Sequence, residues 1–407
     1  MKILYLHQYF VPPDSAGGTR SYEMGRRLVE MGHEVDLVTS TAYFGPRYSF
    51  SKPITKREID GIRLIVLDVP YDNKMSFRCR ILAFVGFVIA SSLVSTRFKP
   101  DIVFATSTPL TIGVPGLVAK YYRNIPLVFE VRDLWPELPI AVGALKSKPA
   151  IYIARCLEKF TYDKSKHIVA LSPDMKAGIV KSGIHESKVS VIPNSCNLEL
   201  FDVPIESGIR FREQYPQISS RPWVVYAGAF GLINGVSYLI EMANVMNQIN
   251  PEVAFVFFGR GAEEEKIRKK AQEYDLIGKN VFFMPQIPKL EMPNLLSAAT
   301  ISSSVFLPIE AMWANSANKF FDSLASGTPV MINYYGWQAE ILQEYRAGFV
   351  VSPYSPERAA KTLARKLDNP SELEQMGKQA KKLAKERFDR NALAKQLEEV
   401  LRRALAN

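Results

Sequence analysis

Short aliphatic runs alternate with longer amphipathic stretches along this chain, in two successive series, and that alternation restricts it to parallel sheets covered by helices. In the first series the predicted strands are Lys2–His7, Val35–Ser40, Ile62–Leu67, Ile102–Thr106, Leu127–Val131, His167–Ala170 and Val189–Ile192. Helical patterns at Arg20–Met31, Thr111–Tyr122 and Pro173–Ser182 lie between them. The second series predicts strands at Trp223–Ala227, Val253–Gly259, Val281–Met284, Ile301–Val305, Pro329–Asn333 and Phe349–Val351. The Pro- and Asn-bounded segment Pro193 to Pro204 separates the two and reads as a linker. Beyond Pro356 apolar residues recur at three- and four-residue spacing over Glu357–Asn369, Ser371–Arg387 and Asn391–Ala406, which predicts helices.

The expected architecture is therefore α/β, with two Rossmann-like doubly wound parallel-sheet domains facing across a cleft. They are expected over residues 1–200 and 201–385, with a C-terminal helix at 386–407 packing back on the first domain. Ligands of such sheets sit beyond the carboxyl ends of the strands. A length of 407 residues agrees with two cores rather than one.

Cys79, Cys156 and Cys196 are too few and too scattered for a disulfide framework or a zinc site, which points to a reducing cytosol. The four histidines show no spacing that suggests a Ser/His/Asp or metal-bridging group. Met1 to His7 is too short an apolar run for a signal peptide and reads as a first strand. The net charge of +10 calls for an acidic partner. Arg78 and Arg80 precede the uncharged run Ile81 to Thr96, which Arg97 and Lys99 close. That run is short for a membrane span and fits a buried or interfacial helix. With Lys146, Lys148, Arg155, Lys159, Lys164 and Lys166 it outlines either a surface for anionic headgroups or solvated helix faces; nucleic acid is not expected.

Three kinds of segment carry chemistry. Asn315 to Val330 reads as a loop, a helix, a Gly stop and a strand, with Lys319 and Asp322 at i,i+3 near the helix start. A cation beside a carboxylate suits a ligand that has both an anionic part and vicinal hydroxyls; a surface ion pair is the alternative. Gly-rich turns follow predicted strands at Gly17-Gly18-Thr19-Arg20, at Gly228 to Gly235 and at Gly259-Arg260-Gly261, where backbone amides can approach a phosphate. None matches the dinucleotide or P-loop pattern. Arg132, Asp133, Trp135 and Glu137 directly follow a buried strand, so they either look into a cleft or lock the strand end.

In order and spacing, Gly17-Gly18-Thr19-Arg20, Ile192-Pro193-Asn194-Ser195, Phe258 to Glu263, Asn280 to Pro285 and Asp322 to Val330 resemble the family 4 glycosyltransferases of the GT-B fold, over nearly the whole chain. Val128 to Glu137 and Asn318 to Asp322 look most like the branch that transfers amino sugars such as N-acetyl-L-fucosamine in bacterial capsule and O-antigen assembly. The resemblance implies retaining transfer from a nucleotide sugar, with uridine the expected base, to a lipid-linked acceptor in surface polysaccharide or lipopolysaccharide synthesis. It implies no metal or other cofactor, and a cytoplasmic protein held peripherally at the inner membrane face. Taken with the residues above, it assigns catalysis to Lys319, Asp133 and Arg132. Donor contacts fall to Gly17, Gly18, Arg20, Gly228, Asn234, Gly259, Arg260, Gly261, Pro285, Gln286, Asn318, Lys319 and Asp322, and acceptor contacts to Trp135 and Glu137. The chain departs from the family in carrying Ala314 where a first acidic residue is usual, and Ala229 and Asn234 where a basic pair is usual. Lys319, then Arg260, remain as cations for a diphosphate. A GT-B epimerase and a non-catalytic GT-B partner protein are the competing readings, and the oligomeric state is open.

Overall fold

Strands that are aliphatic on both faces need cover on both faces, and the chain answers this with two helix-covered sheets. A computed structural model describes residues 1–406 other than 16, 46, 72–74 and 76, without the side chains of 77 and 78. The side chain of Arg78, read above as flanking an apolar run, thus lies outside the described residues. The chain divides into two compact units, Met1–Pro193 together with the chain from Asn391 on, and Asn194–Arg390.

In the first unit the strands are β1 (Lys2–Leu6), β2 (Glu34–Ser40), β3 (Ile54–Ile59), β4 (Ile62–Leu67), β5 (Ile102–Thr106), β6 (Leu127–Val131), β7 (His167–Ala170) and β8 (Val189–Val191). They form one sheet in the order β3-β4-β2-β1-β5-β6-β7-β8. All pairs are parallel except β3 with β4. The strand β3 was not expected. Its residues are mostly exposed and polar, as an edge strand allows, and its turn is Asp60-Gly61, both at positive φ (47° and 77°). The helices are α1 (Arg20–Glu30), α2 (Phe77–Ser95), α3 (Gly113–Arg123), α4 (Glu137–Ala141), α5 (Lys148–Lys164) and α6 (Pro173–Lys181).

The second unit holds β9 (Trp223–Ala227), β10 (Ala254–Phe258), β11 (Val281–Met284), β12 (Ile301–Ser304), β13 (Val330–Ile332) and β14 (Gly348–Val350), all parallel, in the order β11-β10-β9-β12-β13-β14. Its helices are α7 (Leu198–Phe201), α8 (Ile205–Glu213), α9 (Ser237–Ile249), α10 (Glu264–Glu273), α11 (Met292–Ala298), α12 (Asn318–Ser326), α13 (Trp337–Tyr345), α14 (Pro356–Leu367) and α15 (Pro370–Arg387). One face of this sheet packs Leu239, Ile240, Ala359 and Leu363 of α9 and α14, and the other packs Phe211 and Leu295 of α8 and α11.

The segment read as a linker lies mostly inside the second unit. Cys196 donates its amide to the Phe388 carbonyl (3.1 Å), and Arg390 donates its amide to the Cys196 carbonyl (3.2 Å). The last helix, α16 (Arg390–Ala406), places Leu393, Ala394, Leu397, Val400, Leu401 and Ala404 in the core of the first unit with Ile3 and Tyr5. Its polar flank is tied down by Arg27 to Asn391 (2.7 Å) and His33 to Glu398 (2.9 Å).

Candidate active site

In each sheet the direction of winding reverses once, between β1 and β5 in the first unit and between β9 and β12 in the second, and crevices open beyond the carboxyl ends at such reversals. The second unit's residues gather there. Gly228 follows β9 with φ 157°, a conformation that suits glycine. A Cβ on it would lie 3.5 Å from Cε and 3.6 Å from Nζ of Lys319. Gly259 is needed for a closer reason, since a Cβ there would sit 1.9 Å from the Gly228 carbonyl oxygen. The two loops are stitched by Gly228 N–H to Phe258 O (2.9 Å) and Phe230 N–H to Arg260 O (2.8 Å).

Lys319 stands in the first turn of α12, whose cap residue Ala317 offers no side-chain acceptor. Its ammonium donates to the Tyr226 hydroxyl (3.1 Å) and lies 4.4 Å from the Tyr226 ring centre and 5.5 Å from that of Phe306. No carboxylate pairs with it among the described residues. Burial alone pushes its pKa down to about 7. The turn before α12 is braced from behind. Asn194 donates its amide to Ser316 Oγ (3.0 Å) and its side chain to Ser316 O (2.6 Å), and the Trp337 indole donates to Asn315 O (2.8 Å). An ammonium without a counter-ion, at an uncapped helix N-terminus and over a glycine, is built to receive an anion.

Asp322 does not pair with Lys319, so the surface i,i+3 ion pair is absent. One turn along α12, its buried carboxylate takes the ammonium of Lys289, in the loop after β11. Pro285 and Gln286 are exposed in that same loop, Arg260 projects from the loop after β10, and Asn318 opens α12. Asn234 turns inward and donates to Ala229 O (2.9 Å), so it braces its own loop instead of offering its amide outward. Gly261 likewise serves packing, with a Cβ position 2.5 Å from Phe230 O.

In the first unit, Gly17 and Gly18 lie in the loop before α1, Gly17 exposed and Gly18 half-buried. Arg20 is a correction to the expected ligand contact. It donates to Glu130 Oε1 (3.0 and 2.8 Å), to Pro193 O (2.7 Å) and to Ile192 O (2.9 Å), and both charged side chains are almost fully buried. The other Glu130 oxygen accepts from Thr106 (2.6 Å). Arg20 therefore ties α1 to β6 and to the end of the unit.

Arg132 and Asp133 diverge and form no pair with each other. Arg132 donates to His7 Nε2 (3.1 Å), which leaves the proton on Nδ1, donated to Ser21 Oγ (2.8 Å). Burial first, and the Arg132 charge second, hold His7 neutral with a pKa well below the usual range. Asp133 accepts from Thr108 Oγ1 (2.7 Å), and burial raises its pKa against the opposing pull of Thr108 and Arg132. Trp135 is partly exposed, and Glu137 is exposed and paired with Arg155 (3.3 Å). The histidine spacing gave no hint of His7, although it ends the first predicted strand at the winding reversal. Tyr226 and Lys289 were equally missed, because each acts through a contact distant in sequence. Among the described residues no three His, Cys, Asp or Glu side chains cluster as metal ligands would.

Residues 15–195 match the family described as "Glycosyl transferase 4-like domain", and residues 209–383 match "Glycosyl transferases group 1". A probable glycosyltransferase, WbjE, of Pseudomonas aeruginosa is 25% identical over 75% of this chain and 75% of its own. The D-inositol 3-phosphate glycosyltransferase of Corynebacterium urealyticum is 22% identical over 95% of this chain and 91% of its own. In fold, the chain is similar to sucrose-phosphate synthase from Thermosynechococcus elongatus (TM-score 0.81, 20% identity, 100% of this chain and 99% of that one). It is also similar to Anabaena HepE in complex with UDP (TM-score 0.75, 17% identity, 99% and 100% of the two chains).

Proposed function

We propose that this chain, which belongs to the family 4 glycosyltransferases of the GT-B fold, moves an N-acetylated amino sugar, of the N-acetyl-L-fucosamine kind, from a uridine diphosphate donor to a lipid-linked saccharide. The transfer is read as retaining and as a step in bacterial capsule, O-antigen or lipopolysaccharide synthesis at the inner membrane face. The observation that carries the donor half is the ammonium of Lys319 at the start of α12, bonded to the Tyr226 hydroxyl but to no carboxylate among the described residues. The complex of the Anabaena relative with UDP supports the choice of nucleotide.

As the bond to the sugar breaks, negative charge grows on the leaving diphosphate. Lys319 and the backbone amides of Asn318 and Lys319 that open α12 meet it where it forms, which is the interaction that lowers a barrier rather than merely binding substrate. The acceptor hydroxyl must lose a proton, a role assigned either to Asp133, held by Thr108, or to the leaving phosphate. Front-face departure favours the phosphate. Asp322, with Lys289 fixing its carboxylate, is assigned to the ribose hydroxyls. Trp135 and Glu137 are assigned to the acceptor sugar, and no metal or other cofactor is invoked.

Incubation of purified protein with radiolabelled UDP-amino sugars, with and without membrane extract, tests the reading. Label should enter lipid only when extract is present. Epimerised donor without extract would mean an epimerase, and no conversion of any kind a non-catalytic protein. Replacing Asp322 with Ala is expected to raise the donor KM about tenfold with little change in kcat; superimposable donor titrations would remove the ribose role.

Protonation of Lys319 also predicts a pH dependence. The free protein loses this charge as pH rises through about 7, and bound diphosphate favours the charged form. UDP affinity should therefore fall between pH 7 and 9, by up to about tenfold per unit, above the range where the phosphate itself titrates. Calorimetric titration should show proton uptake on binding, and a flat profile would contradict it.

A further inference from the structure

The helix α2 is apolar around its circumference. Ala83, Phe87 and Val94 are buried against the first unit, while Leu82, Val85, Ile89 and Leu93 are 70, 49, 56 and 62% exposed on the opposite side. At 3.6 residues per turn those four share an arc of roughly 80°. An all-round apolar helix belongs either in a core or against lipid, and here half of it faces outward. No helix among the described residues is long and apolar enough to cross a membrane.

Helix α3 packs beside α2, and α5 beside α3. Arg123, at the end of α3, donates to the Thr96 carbonyl just beyond α2 (2.5 Å), and Gly113, at the start of α3, lies against Thr161 of α5. Both helices carry large exposed side chains, Tyr121 and Tyr122 on α3, and Tyr152, Ile153 and Phe160 on α5. Cations are interleaved with them. Lys120, Arg123 and Lys164 lie over the rings of Tyr121, Tyr122 and Phe160 at 5.8, 5.0 and 5.8 Å. Arg97, Lys99, Lys148 and Lys159 are exposed besides, whereas α2 and α3 contain no acidic residue; on α5 Glu158 is buried, and the exposed Asp163 stands against the cations Lys148, Arg155, Lys159 and Lys164.

Each partner class makes a different demand on such a surface. Nucleic acid has no use for a Leu/Val/Ile stripe, and a second copy on the same face would bring like charges together. Apolar bodies with cationic heads suit the boundary between acyl chains and anionic headgroups. We propose that α2, α3 and α5 form an interfacial seat on an anionic bilayer, with Leu82, Val85, Ile89 and Leu93 entering the acyl boundary and the lysines of α5 meeting lipid phosphates. The seat deepens the lipid-linked acceptor reading and gives that reading a physical basis, yet vesicle binding needs neither donor nor acceptor.

Flotation of the full chain with phosphatidylcholine vesicles, with or without phosphatidylglycerol, tests it. The protein should float with the anionic vesicles. The Leu82→Gln/Ile89→Gln double variant should lose at least about tenfold in partitioning with an unchanged melting temperature. Lys159→Glu/Lys164→Glu should lose binding together with its salt dependence. As a readout that does not depend on those variants, an environment-sensitive dye on the exposed Cys156, in a Cys79→Ser background, should shift to the blue when anionic vesicles are added. Equal partitioning of the Leu82/Ile89 variant, an unresponsive dye, or a lipid-free dimer that this variant dissociates would overturn the seat. Vesicle binding without sugar transfer would defeat the acceptor reading alone, and transfer without vesicle binding would defeat the seat alone.

Discussion

Replacement of Lys319 with Ala lowers turnover about a hundredfold or more, and replacement with Met does the same while raising the melting temperature of the donor-free protein. Both effects come from one arrangement. The ammonium is held among Tyr226, Phe306 and Gly228 with no carboxylate among the described residues to balance it, so burial costs the folded protein a charged group that a ligand compensates. Its folded pKa, near 7, lies below the unfolded value of about 10.4. The unfolded chain therefore binds the extra proton between those two values, and stability contributed by this residue rises with pH across that window. Met keeps the stem and removes the charge, so its variant should lack this rise and gain most at pH 7 and below. Thermal scans from pH 6.5 to 10 of wild type and Lys319→Met check the stability half, and initial rates at saturating donor check the other. Wild-type turnover in a folded Lys319→Ala variant would remove the residue from the mechanism.

Replacement of Arg20 with Ala costs the first unit about 3–5 kcal/mol, because it strands Glu130 in the core without its counter-charge. That is a large share of the roughly 5–15 kcal/mol that holds a domain folded. The donors lost also leave Ile192 O and Pro193 O without the guanidinium. An Arg20→Met/Glu130→Leu pair should recover much of the loss, since neither charge is then buried alone. Trp135 is the first unit's sole tryptophan among the four, so whole-protein fluorescence reports mostly on the other unit. Hydrogen exchange at β6 and β8 is the suitable readout, and unchanged protection there in Arg20→Ala would contradict the structural role.

The two variants mark the border of what could be read from the chain. The parallel strands were legible because each is a continuous aliphatic run, as strands covered on both faces must be. The edge strand β3 was not, since Lys56, Arg57 and Glu58 face solvent and resemble a loop; Asp60-Gly61 was the available signal. Lys319 was legible because a lone cation in the first turn of a helix is a local feature. Arg20 sits in an equally suggestive Gly-Gly-Thr-Arg turn, yet its direction depends on Glu130 and Ile192, remote in sequence.

Local pattern thus determined the doubly wound sheets, the Gly-rich turns and the helix carrying Lys319. Those features follow from periodicity and backbone preference, which act over a few residues. The break between the two units, expected at 200 and found after Pro193, needed the tertiary structure. Packing alone decided that Lys319 goes without a counter-ion, that Asp322 takes Lys289, that Arg20 locks a core and that α2 leaves an apolar face outward. Each of these depends on which side chains meet across the fold, and burial there sets the cost of an unpaired charge far more strongly than sequence neighbours can.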